Sequence, residues 1–288
     1  MSSFYLTLSS MKSLIPYFFK VSSKIAPSLA SKWAQELFLR PRRIPLSQKE
    51  TDIMSSAKIE TLQSGRKVYF WGQNPQAPII GLVHGWESRA VAFHKWIPLF
   101  IEQGFQVMGW DGPAHGQSPG VKTSAPEIAK ALAEDLNELQ ITPHALVGHS
   151  LGGVVLGLLN QHLTLPLPKK IVLVSSPSNI VGVFDRFYST IGLGKSSQVH
   201  FLKTIETQTG VSLEMGSLKN MKLNQDTDLL VIHDTEDREV PFEDFYELQK
   251  SWTNAKFIAT DGLGHRRILR DLSVGHEISQ FLKGPVQA

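Results

Sequence analysis

The order of apolar runs along this chain predicts an α/β protein, built on a mostly parallel central sheet with helices on both faces. Three observations carry that expectation. From about residue 55, short strand-like runs alternate with segments whose apolar residues recur at helical spacing. Several of the runs are apolar almost without interruption, as strands buried on both faces must be. The residues able to do chemistry follow directly after these runs, where ligands bind in such folds.

The elements can be taken in order. KIETL (58–62) and KVYFWG (67–72), joined around Ser64–Gly65, read as an antiparallel hairpin. PIIGLVHG (78–85) is an apolar strand ending in Gly85, and residues 91–103 are helical by period, with Val91, Trp96, Leu99 and Phe100 inward. FQVMGWD (105–111) is the next strand. Ser124 and Glu127 then form a capping box opening a helix that keeps Ile128, Leu132, Leu136 and Leu139 on one side. HALVGHS (144–150), a helix from Leu151, KIVLVSSP (170–177), DLLVIHD (228–234), a helix near 242–251, KFIAT (256–260) and a terminal helix to Leu282 complete the series. Residues 178–226 break the rhythm and read as a small helical cap insertion, too long for a plain loop. Its aromatics (Phe184, Phe187, Tyr188, Phe201) would either meet an apolar substrate or form a core of their own.

Composition narrows the function. The 288 residues are 42% hydrophobic and 19% charged, enough for one large domain or one with an insertion. With no cysteine, disulfides, thiolate catalysis and Cys-ligated zinc are excluded. A net charge of +3 is too small to indicate nucleic acid as a partner. The charge is uneven, however. Residues 1–43 carry seven Lys and Arg against Glu36, a net of +6 that leaves −3 for the remainder. The same stretch is apolar at roughly helical intervals (Leu14, Phe18, Ile25, Leu29, Trp33, Leu37), with Pro16 and Pro27 expected to divide it into two short pieces. Residues 1–54 are therefore set apart as a basic amphipathic segment and 55–288 as the main domain. Two readings of 1–43 stand side by side: helices docked on the domain, or peripheral contact with an anionic membrane. No apolar run approaches the roughly 20 residues of a membrane span, and the pattern is not that of a secretory signal. The basic, Ser-rich start also has the composition of an organelle transit peptide. The expected location is cytoplasmic, with peripheral membrane association through this segment.

Chemistry begins at Gly148-His149-Ser150-Leu151-Gly152, a G-x-S-x-G set between an apolar strand and a helix. Such a serine sits in a sharp strained turn with a helix N-terminus beneath it, which suits a nucleophile. It needs a base, and among ten histidines His265 follows a later strand, whereas His149 would line the pocket floor as a substrate-binding residue. An oxyanion site would use the N–H of Leu151 and that of Trp86, beside the compact Gly85. The acid is sought in VIHDTEDREVP (231–241), which holds Asp234, Glu236, Asp237 and Glu239.

His84-Gly85-Trp86, Asp111-Gly-Pro-Ala-His115-Gly-Gln-Ser118, the elbow, HDTED and GLGH in this order resemble the α/β-hydrolase superfamily, and its esterase and lysophospholipase-like serine hydrolases in particular, over about residues 55–283. LFLRPRR resembles bacterial relatives of that subgroup, which counts against a transit peptide. The resemblance implies the α/β-hydrolase fold, a Ser150–His265–Asp237 triad, no cofactor and no metal, and a small acyl ester, thioester or amide as substrate. Asp237 matches the acid of the family's H-G-x-x-D-x-x-V-P pattern, while Asp234 stands where relatives carry glycine. Glu236 and Glu239 are expected to face water. Asp111 and His115 are expected to be a self-bonded loop beside the pocket. Arg266 and Arg267 would pair with Asp261 or Asp271, or hold an anionic substrate. Acyl transfer on the same triad, or a non-catalytic binding protein on this fold, are the alternatives.

Overall fold

Strand and helix alternate through the chain as the apolar pattern predicts. The structure, a computed structural model, describes residues 2–221 and 227–285, with side chains from Leu14 onward. In chain order the elements are α1 (Ser2–Ile25), α2 (Pro27–Phe38), α3 (Gln48–Ser55), β1 (Lys58–Thr61), β2 (Lys67–Trp71), β3 (Ile79–Val83), α4 (Trp96–Glu102), β4 (Gln106–Trp110) and α5 (Ala125–Leu139). There follow β5 (Ala145–His149), α6 (Leu151–Leu159), β6 (Lys170–Val174), α7 (Ile180–Ile191), α8 (Lys195–Thr209), β7 (Asp228–Asp234), α9 (Glu243–Ser251), β8 (Lys256–Thr260), α10 (Gly264–Arg267) and α11 (Leu272–Lys283).

The eight strands form one sheet in the order β1-β2-β4-β3-β5-β6-β7-β8. β1, β2 and β4 are antiparallel to their neighbours at that end; every pairing from β4 through β8 is parallel. The parallel strands therefore all discharge at one edge, and His149, Asp234 and Thr260 are the last residues of their strands there. The central strands β5 and β6 are buried along their whole length, as their continuous apolar sequences require.

Ser124 caps α5 through its side chain: the hydroxyl accepts from the Glu127 N–H and donates to Glu127 Oε2 at 3.1 Å. The single helix expected over 91–103 is instead a 3-10 turn (Ala90–Phe93) followed by α4. Pro98 explains the split. Its ring and missing N–H are tolerated in the first turn of α4 but would break a helix begun at residue 91. α3 went unread in the sequence although Ser47 and Glu50 close a full capping box on it.

The chain divides differently from the 54/55 boundary. One compact unit joins the residues up to Arg40 with Ile180–Leu213; the other runs from Pro41 to Asn179 and from Glu214 to the end. The N-terminal helices and the insertion thus belong together, because each supplies half of one apolar core. Phe19, Ala30 and Ala34 from α1 and α2 meet Phe184, Tyr188 and Phe201 from α7 and α8. Phe38 lies edge-on to Phe184 at 5.2 Å, and Tyr188 edge-on to Phe201 at 5.2 Å. The insertion's aromatics are the core of this unit. Pro16 does not interrupt α1 as expected, whereas Pro27 sits in the first turn of α2, where proline is accepted. The Pro16 backbone packs on Gly192, where a Cβ would fall 2.7 Å from the Pro16 carbonyl oxygen.

Candidate active site

Ser150 occupies the turn between β5 and α6 with φ 54° and ψ −122°, a conformation side-chain-bearing residues avoid. The glycines on either side make the turn possible. A Cβ on Gly148 would lie 2.7 Å from the Gly152 carbonyl carbon, and one on Gly152 would lie 2.2 Å from the Val83 carbonyl oxygen. The Ser150 N–H donates to Val174 O at 2.9 Å, tying the turn to β6. Leu151 is the first residue of α6, and an N–H at that position has no acceptor within its helix.

The loop after β3 comes to the same place. A Cβ on Gly85 would lie 2.9 Å from Ser150 Cβ, so glycine lets this backbone close on the elbow. The buried His84 ring organises the loop: Nδ1–H donates to Gly85 O at 2.7 Å, and Nε2 accepts from the Gly112 N–H at 3.1 Å. Burial pushes the His84 pKa down to about 4, against the opposing bond to Gly85. In a trans peptide the carbonyl and the next N–H point opposite ways, so pinning Gly85 O directs the Trp86 N–H away from His84.

His265 and Asp237 meet across two loops. His265 Nδ1–H donates to Asp237 Oδ2 at 2.7 Å, and both side chains are buried. Asp237 Oδ1 accepts from the Glu239 and Val240 N–H groups, each at 2.9 Å. Burial works to raise the Asp237 pKa, but the His265 bond and the backbone donors outweigh it and hold the carboxylate below its ordinary range. With Nδ1 protonated toward the carboxylate, Nε2 is the basic nitrogen of His265.

Asp234 does different work. Its Oδ1 accepts from the Glu236 N–H at 3.0 Å and the Gly264 N–H at 2.7 Å. Its Oδ2 accepts from the Thr260 hydroxyl at 2.7 Å and the Leu263 N–H at 3.0 Å. The carboxylate fastens the end of β7 to the loop that delivers His265 and makes no bond to the imidazole. Here too burial would raise the pKa, and the four donors bring it below the usual carboxylate value. The sequence reading gave Asp234 no such role; its signal was a carboxylate ending an otherwise apolar strand.

His149 is buried at the floor of the elbow, its ring 4.7 Å from that of His265. Nε2–H donates to the His265 carbonyl at 2.9 Å, which leaves Nδ1 bare and without a protein partner. Burial, reinforced by His265, pushes its pKa down to about 3, so the ring is neutral. Its bond therefore goes to the His265 loop, a connection that the residue pattern did not reveal.

Asp111 and His115 form the self-bonded loop that was read. Asp111 accepts from the Ala90 N–H, the Gln117 N–H and the Tyr69 hydroxyl, and His115 Nδ1–H donates to Pro113 O. Among the described residues, no group of three or more His, Asp or Glu is placed to hold a metal. The arginines differ from expectation. Arg266 pairs with Glu239, at 2.8 and 3.1 Å, and not with Asp261 or Asp271; Arg267 donates to Gly262 O. Asp261 instead accepts from the Thr235 hydroxyl, and Asp271 caps α11 through the Val274 N–H. Glu239 thus covers the acid loop as an ion pair. A separate cavity of about 220 Å³ lies among Arg42, Leu46, Met54, Tyr69, Glu87 and Asp111, and none of Ser150, Asp237 or His265 lines it.

The parallel sheet, the strained serine elbow and the ordered loops at one sheet edge agree with a family match: the family described as serine aminopeptidase, S33, covers residues 73–187. The chain has the α/β-hydrolase fold. The matched region contains the Gly85 loop and the Ser150 elbow and stops before Asp237 and His265. Among curated proteins the chain is 35% identical over 126 residues to an uncharacterized hydrolase, YugF, of Bacillus subtilis, covering 42% of this chain and 44% of that protein. It is 34% identical over 116 residues to a serine hydrolase-like protein of Homo sapiens, covering 37% and 53%. The chain spans about half the length, or less, of the curated relatives it matches. Among solved structures, an esterase of Pyrococcus furiosus superposes with a TM-score of 0.60 at 19% identity, over 85% of this chain and 97% of that one. A monoacylglycerol lipase of Paleococcus ferrophilus gives 0.53 at 21%, over 75% and 98%. At these identities the superpositions speak for the fold.

Proposed function

We propose that this protein is a serine carboxylesterase that cleaves an apolar acyl ester, lysophospholipid-like in character, through an acyl-enzyme. The observation that carries the reading is the buried 2.7 Å bond from His265 to Asp237, together with a serine held at φ 54° in the turn between β5 and α6. His265 Nε2 takes the Ser150 proton as Oγ attacks the acyl carbonyl carbon. The N–H groups of Trp86 and Leu151 receive the oxyanion. His265 then gives its proton to the departing alcohol, leaving the acyl group on Ser150. A water, deprotonated by the same nitrogen, attacks the acyl-enzyme; the carboxylic acid leaves and Ser150 recovers its proton. Asp237, held ionised by its three donors, keeps the imidazole in the tautomer that can accept from serine. Esterase and lipase names among the structural neighbours support acyl chemistry as the class. The test is a panel of p-nitrophenyl esters of increasing acyl length, run on wild type and Ser150→Ala. The variant should lose roughly 10³-fold or more in kcat on every ester the wild type cleaves. Full turnover by Ser150→Ala would overturn the proposal.

A further inference from the structure

α1 and α2 turn an apolar face outward. On a helix packed against a core, the outer face is normally polar. Here Phe19 and Ser23 are the buried side of α1, yet the opposite side carries Phe18, Val21 and Ile25, all exposed, with Ile25 78% exposed. α2 repeats the arrangement: Ala30 and Ala34 are buried, while Leu29, Trp33 and Leu37 form an exposed row at i, i+4, i+8. The two rows meet, since the Phe18 and Trp33 rings lie 5.2 Å apart. The result is one continuous apolar surface across a helix pair, larger than scattered surface residues produce.

Its surroundings select the occupant. Lys20, Lys24 and Lys32 are exposed on the same helices, and so is Tyr17, at 68%. Glu36, the sole acidic residue of 1–43, is paired with Arg40 at 3.2 Å, so no free negative charge opposes an anionic surface. Among the described residues no helix is long and apolar enough to cross a membrane. Exposed aromatics and aliphatics flanked by lysines, on helices that cannot span, fit the boundary of an anionic bilayer.

We infer that the outer face of α1 and α2 is a docking surface for anionic membrane, with Phe18, Val21, Ile25, Leu29, Trp33 and Leu37 entering the headgroup–acyl boundary and Lys20, Lys24 and Lys32 contacting lipid phosphates. The inference is independent of the hydrolase reading, because binding is measured without turnover. Full-length protein is floated with vesicles of phosphatidylglycerol and phosphatidylcholine, and with phosphatidylcholine alone, at low and high salt. The expected result is flotation with the anionic vesicles, weakened by salt. Phe18→Ser with Trp33→Ser, or Lys20→Glu with Lys24→Glu and Lys32→Glu, should each reduce partitioning roughly tenfold or more. All five substituted side chains are exposed, and an unchanged circular dichroism spectrum and melting temperature identify folded variants. No flotation of wild type, or flotation insensitive to both sets of changes in folded protein, overturns the inference. So does a wild-type dimer that Phe18→Ser/Trp33→Ser converts to monomer without any vesicle binding, because the face would then join two copies of the chain.

Discussion

Replacing Asp237 by Asn changes one atom of the proposed triad, and the structure says how the amide must sit. Asp237 Oδ1 accepts two backbone N–H groups, from Glu239 and Val240, so in Asp237→Asn the amide oxygen takes that position. The NH2 group is then left at the Oδ2 site, 2.7 Å from His265 Nδ1. Two donors cannot share a hydrogen bond, so Nδ1 must give up its proton and Nε2 must carry it. That tautomer cannot accept the Ser150 proton. The lost charge-assisted bond alone is worth about 1.5–3 kcal/mol. The wrong tautomer and the unsupported imidazolium add to it, for a total of roughly 4–5.5 kcal/mol, or about 10³–10⁴-fold in kcat. Because both backbone donors keep an acceptor, folding stability should change by no more than about 1 kcal/mol. The assay is kcat on a p-nitrophenyl ester, with urea unfolding as control and the His265 ring ¹⁵N shifts reporting the tautomer. A folded Asp237→Asn enzyme within about tenfold of wild type would refute the reasoning.

Asp234→Asn should behave in the opposite way, losing roughly 2–4 kcal/mol of stability while a folded sample keeps kcat within about tenfold, since its four donors hold a loop and not the imidazole. Its folded pKa lies below the unfolded carboxylate value, so its stabilisation is complete above about pH 5 and is lost as pH falls through the folded pKa. The wild-type advantage over Asp234→Asn should accordingly be flat at neutral pH and shrink in acid; urea unfolding from pH 3 to 8 measures it, and a flat difference throughout would contradict the assignment. His149→Leu removes the donor to His265 O and should lower kcat about tenfold with KM little changed. Steady-state kinetics with a soluble ester decides it, and an unaltered kcat counts against a positioning role. The buried Lys170 ammonium donates to the carbonyls of Phe281, Leu282 and Gly284 at the end of α11, so Lys170→Met should cost about 2 kcal/mol in urea unfolding and speed proteolysis there. Wild-type stability in that variant would show the contacts to be incidental.

The parts legible in the sequence were those where one local pattern has one physical solution. Uninterrupted apolar runs such as ALVGH can be satisfied only inside a covered sheet, and G-x-S-x-G between strand and helix has a steric reason at each glycine. Asp237 was separable from its acidic neighbours only through resemblance, because spacing alone cannot tell which carboxylate turns inward. The union of α1 and α2 with the insertion was not legible at all. It depends on Phe19 meeting Phe184 and Phe201 across more than 150 residues of chain, and no periodicity encodes that contact. For the same reason the partner of Arg266 is hidden in the sequence. Asp261 and Asp271 are nearer in sequence, while Glu239 reaches it from another loop.

The central claim is that Ser150 is an activated nucleophile, and fluorophosphonate labelling tests it most directly. Folded wild-type protein should gain one adduct by intact mass, mapped by peptide sequencing to Ser150. Heat-denatured protein and Ser150→Ala should gain none. No adduct on the folded chain, or one on another residue, would contradict the account.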